Sequence, residues 1–145
     1  MNADARDVGQ SLDDEARMTR LRFAFAIAFA FTMLVHVAGA VRNGDDGSSP
    51  MRHAVFAALN GAFALLFALG IRWLAFPLTA LALQQGYSHG TDLVNAARRG
   101  ELDGASAIVL VFLPLALVYA WRAWLRKVAR DDRPDDHTIG GRPAD

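Results

Sequence analysis

The stretch LRFAFAIAFAFTMLVHVAGAV, residues 21–41, decides how this chain is read. After Arg22 it contains no Asp, Glu, Lys or Arg, and its one further ionisable side chain is His36. A helix rises about 1.5 Å per residue and a bilayer core is about 30 Å thick, so roughly twenty such residues cross it. A helix on the surface of a soluble bundle would show charge on one face every third or fourth residue, and this stretch shows none.

The pattern recurs along the chain. Charge-free runs cover residues 23–41, 53–71, 73–91 and 104–121, with lengths of 19, 19, 19 and 18 residues. Flanking Arg side chains can snorkel outward and let each run reach across. The expectation is an all-α membrane protein, four transmembrane helices in an up-down-up-down bundle, with spans at about 21–41, 53–70, 72–89 and 105–125 in a membrane domain of 21–126.

Composition agrees: 53% of the 145 residues are hydrophobic, and mean hydropathy is +0.19, high for a soluble chain of this length. Formal net charge is zero and there is no basic stripe, which argues against a nucleic-acid partner. With no Cys there is neither a disulfide framework nor a thiolate site.

The connections follow from turn chemistry. Residues 1–20 are polar and of mixed charge, and read as a flexible or surface-lying tail. RNGDDGSSPMR, residues 42–52, reads as a loop in which Asp45 and Asp46 belong to a solvated turn. Only Gly70, Ile71 and Arg72 are available to reverse the chain between the second and third spans, so those helices are expected to form a tight hairpin. Gly100 should close a short helical segment after the third span, and Pro114 should kink the fourth. The tail 127–145 is charged and punctuated by Pro and Gly, reads as disordered, and gives His137 no reason to be a ligand.

Orientation follows from Lys and Arg. Eleven of the fifteen lie on the side that holds both termini and Arg72; Arg42, Arg52, Arg98 and Arg99 lie on the other. Both termini are therefore expected in the cytoplasm, with Tyr119, Trp121 and Trp124 as an inner interfacial belt. Ala- and Arg-rich usage fits a bacterial inner membrane. A cleaved signal peptide ending at Ala38-Gly39-Ala40 is the competing reading of the first span, but the apolar run is long and an acidic segment precedes it.

This topology puts His36, His53 and His89 at one membrane level, on three helices. An ionisable residue within a span marks a pathway, a ligand or a relay. Asn60 lies two turns below His53, Thr32 one turn below His36, and Gln85 one turn below His89. Such polar groups should turn inward and hydrogen-bond across the bundle. QQGYSHGTD, residues 84–92, reads as a polar end to the third span, contributing Gln84, Gln85, Tyr87 and Ser88 as ligand or relay groups.

Three versions of a site follow. One is a Zn or Cu centre held by His36, His53 and His89 with Asp92. The second is haem b on two of the histidines, which requires opposing helix faces and a deep apolar pocket. The third is a quinone or proton-relay site using His36, Gln85, Tyr87 and His89. Phe23, Phe25, Phe29 and Phe31 cannot share one helix face and read as lipid-facing and packing surface. No catalytic motif is present, so the expected function is a ligand-, metal- or redox-cofactor-binding or accessory module, with a membrane enzyme or a purely structural subunit of a larger or homo-oligomeric membrane assembly as alternatives.

Overall fold

The computed structural model describes residues 3–42 and 49–131, and every element in them is helical. These are α1 (Ala3–Val41), α2 (Pro50–Ala68), a single 3₁₀ turn (Arg72–Leu74), α3 (Ala75–Arg98) and α4 (Gly104–Asp131). Asp45, Asp46 and His137 lie outside the described residues.

Each boundary has a local cause. Ser49 caps α2 by accepting the Arg52 N–H at 3.2 Å, and Pro50 follows as the first helical residue. Gly70 ends α2 with φ +68°, and the Ile71 N–H returns to the Leu66 carbonyl at 3.0 Å. Gly100 ends α3 in the same way, with φ +73° and the Glu101 N–H on Ala96 at 2.9 Å. Asp103 opens α4 by accepting the Ser106 N–H at 2.9 Å.

Among the described residues three helices are long and apolar enough to cross a membrane: Asp13–Val41 of α1, all of α2, and Gly104–Ala129 of α4. The third expected span differs. α3 has the length, but freedom from charge is not apolarity, and Gln84, Gln85, Ser88, His89, Thr91 and Asp92 dilute its second half. QQGYSHGTD is not a helix end either: α3 runs through it without a break.

The polar flanks differ from expectation too. α1 is already helical from Ala3, and well along it the Met18 carbonyl accepts from Tyr119 of α4 at 3.2 Å. α4 likewise continues to Asp131, beyond the expected start of a disordered tail at residue 127.

Helix packing is closest within two pairs, α1 with α2 and α3 with α4. Along α1 and α2 the contacts run in opposite directions: Phe29 stacks on Phe63, and His36 meets His53. Along α3 and α4, Phe76 meets Trp121 and Trp124 edge-on, and His89 meets Ser106. The expected tight hairpin of α2 and α3 is thus a tight turn without close helix packing, because the 3₁₀ turn intervenes and packs on α4.

An aromatic seam joins the two pairs. Phe25 and Phe29 of α1 reach Phe67 of α2 and Phe112 of α4 at centroid distances of 5.2 to 5.7 Å. Their spacing of four puts them on one face, whereas Phe23 and Phe31 are exposed. Phe29, Phe67 and Leu78 are the largest fully buried side chains. Large apolar groups such as Ile27, Leu83 and Ile108 face outward.

Candidate functional site

Beyond the aromatic seam, at the end holding His36, His53 and His89, the two helix pairs line a half-open cavity of about 620 Å³. Its apolar lining includes Phe29, Leu81, Val109, Phe112 and Leu113. Its polar lining comes from both pairs and divides into two clusters.

The first cluster lies on α1 and α2. His36 Nδ1 is 3.3 Å from His53 Nδ1, and the His36 ring stacks on Phe56 at 5.4 Å. His53 is buried at 9% exposure, and Gly39 leaves the space its ring occupies. A contact between two Nδ1 atoms requires one to carry hydrogen and the other a lone pair. Asn60, 8% exposed, donates to the Phe56 carbonyl at 2.8 Å one turn back.

The second cluster lies on α3 and α4. His89 Nδ1 is 2.9 Å from the Ser106 hydroxyl, which in turn donates to Asp103 Oδ2. Ser106 is only 2% exposed. Its hydroxyl and then its backbone N–H hold the Asp103 carboxyl below the usual carboxylate range, with the nearby His89 acting in the same direction. The carboxylate therefore takes the hydroxyl hydrogen, and Ser106 accepts from His89 Nδ1–H. This orients the ring with Nδ1–H on Ser106 and leaves Nε2 as its other hydrogen-bonding atom.

The expected site residues separate accordingly. His36, His53, Asn60, Gln85, His89 and Asp92 all line the cavity. Gln84 is exposed and accepts from Gln85 at 2.7 Å, Tyr87 is 81% exposed, and Ser88 is absent from the lining. The metal centre is not assembled: among the described residues no three His, Asp or Glu side chains converge on one ion. The reason is geometric, since His36 and His53 pair with each other while His89 is held by Ser106 on the other helix pair.

Hydrogen bonding across the bundle also takes a different form. Thr32, Asn60, Thr79 and Thr91 each donate to the carbonyl one turn back in their own helix. Among the described residues, side-chain bonds that cross between helices include those of His36, His89, Tyr119 and Trp121, the last donating to Thr79 at 3.1 Å. Sequence reasoning missed Ser106 and Asp103 as partners of His89. The legible signal was the Asp-x-x-Ser spacing at the start of an apolar run, an N-cap signature.

Comparison of the chain with protein-family models, curated proteins and solved structures finds no match.

Proposed function

We propose that this chain is a four-span, up-down-up-down integral membrane protein with both termini in the cytoplasm of a bacterial cell, and that its outer cavity holds a small amphipathic molecule of the quinone class. The observation that carries the reading is the cavity of about 620 Å³, apolar along the aromatic seam, with histidines on two opposed helix pairs. Ligand pockets typically enclose about 300–1,000 Å³, mostly apolar, with a few polar groups that fix orientation.

α3 is the span that completes the four. Its 24 residues reach about 36 Å at helical rise, enough to cross. Its polar side chains Gln85 and His89 line the cavity, where they need not meet lipid.

A quinone ring has an apolar body and two carbonyl oxygens on opposite edges, each needing a hydrogen-bond partner. The His36–His53 pair serves one edge and His89 the other. In the His36–His53 pair one ring presents Nε2–H and the other a bare Nε2, so that edge suits quinone or quinol, whereas the His89 Nε2, with Nδ1–H held by Ser106, accepts from a quinol hydroxyl when that ring is neutral. Haem b is the second reading, favoured by the Asp103–Ser106–His89 chain, which fixes a histidine with Nε2 left as a ligand.

An absorption spectrum of the purified protein followed by titration with a short-chain quinone separates these. A Soret band selects haem. A colourless protein that binds quinone saturably, one to one, supports the main reading. A colourless protein that binds no quinone rejects both and leaves the structural-subunit role.

A further inference from the structure

At the opposite end of the bundle, where α1, the α2–α3 turn and α4 meet, lies a second and smaller cavity of about 160 Å³. Four cationic side chains line it: Arg22, Arg72, Arg126 and Lys127. They come from three separate parts of the chain, so helix packing and not local sequence gathers them.

Two details show that the cluster is built into the fold. Arg22 reaches the turn at Gly70, where φ +68° disfavours any side chain and a terminal nitrogen of Arg22 occupies the space beside the glycine, 2.6 Å from where a Cβ would stand. Arg22 Nε is shielded from solvent and has no hydrogen-bond partner among the described residues. A buried guanidinium N–H without an acceptor is costly, and like charges gathered together add to that cost. At the rim of the cluster Asp14 lies 3.8 Å from Arg126, with both side chains about half exposed or more, and Lys127 also has a partner.

We propose that this cavity is a phosphate-binding site, built to take the phosphate of an anionic phospholipid headgroup or a free phosphate from solution. Guanidinium groups match phosphate oxygens by paired N–H donors, and a lysine adds a point charge. The position at the basic end of the bundle suits a headgroup of the inner leaflet. The site stands independently of whatever the outer cavity binds.

The test uses the purified full-length chain, delipidated in a neutral detergent, with thermal unfolding followed by circular dichroism. Short-chain phosphatidylglycerol, phosphatidylcholine and inorganic phosphate are titrated separately at constant ionic strength. A saturable rise in Tm with phosphatidylglycerol alone identifies a lipid site; an equal rise with inorganic phosphate identifies a soluble ligand. Either should weaken by roughly tenfold or more in R22Q/R72Q, the loss expected when charge-assisted hydrogen bonds go. Lys127→Gln, at an exposed position, provides the same comparison should the double variant fail to fold. No saturable shift with any of the three, or shifts unchanged in the folded variants, overturns the proposal.

Discussion

His36 and His53 belong to different helices and meet Nδ1 to Nδ1 at 3.3 Å. When both rings are neutral this contact holds only if one Nδ1 bears hydrogen and the other does not. Nitrogen-15 NMR of histidine-labelled protein at a pH where both rings are neutral should therefore show opposite tautomers for the two. Two identical tautomers would mean that the rings do not pair.

The pair depends on Gly39. A Cβ at that position would lie 2.8 Å from His53 Nδ1 and Cε1, atoms of a rigid ring, so Gly39→Ala must displace the ring. Overpacking of this kind costs about 1–3 kcal/mol. At Gly61 the corresponding Cβ would meet Met33 Sδ at 2.9 Å, the end of a flexible side chain that can swing away. Denaturant unfolding in detergent should find Gly39→Ala the more damaging of the two, with the opposite tautomers of His36 and His53 lost only there.

The sequence disclosed the helices well and their partnerships poorly. The turn at Gly70 and the stop at Gly100 were legible because a left-handed residue and a Schellman closure leave a local signature. The extent of α1 was not, because residues before 21 look like a solvated tail until Met18 is seen against Tyr119. Charge-free runs exaggerated the apolar character of α3, since Gln, Ser and Thr escape a count of charges. For the site, spacing placed three histidines at one end, but which histidine pairs with which depends on helix rotation. That is decided by the aromatic seam of Phe25, Phe29, Phe67 and Phe112. Asn60 and Thr32 misled because a polar side chain in a helix can satisfy itself on the preceding turn.

Asp103 sets an acid limit. Its folded pKa lies below the ordinary value of 3.8, so its contribution to stability is complete above that value and is lost as pH falls through the folded one. Asp103→Asn keeps a capping side chain but removes the charge. Thermal melts from about pH 5 down to about pH 2 should show the wild type losing Tm more steeply than the variant once the pH falls below the ordinary carboxylate value. Parallel acid limbs would remove Asp103 from the account.

The number of spans is open to direct labelling, because the chain has no native Cys. Met51, Leu102 and Val128 are exposed in the structure. If α3 spans, a membrane-impermeant maleimide added to sealed spheroplasts labels Met51→Cys and Leu102→Cys but not Val128→Cys. If α3 stays on the cytoplasmic side, Leu102→Cys is protected and Val128→Cys is labelled.

The cavity between the two histidine clusters is the centre of the account, and blocking it is the most direct measurement. Val109 lines the cavity and packs against the core, so Val109→Trp should fill ligand space while leaving the helices in place. In nanodiscs, the wild type is predicted to bind a short-chain quinone saturably and one to one. Val109→Trp, with an unchanged circular dichroism spectrum, is predicted to lose that binding. Equal binding by both proteins, or none by the wild type, would contradict the claim that this cavity is a ligand site for a quinone.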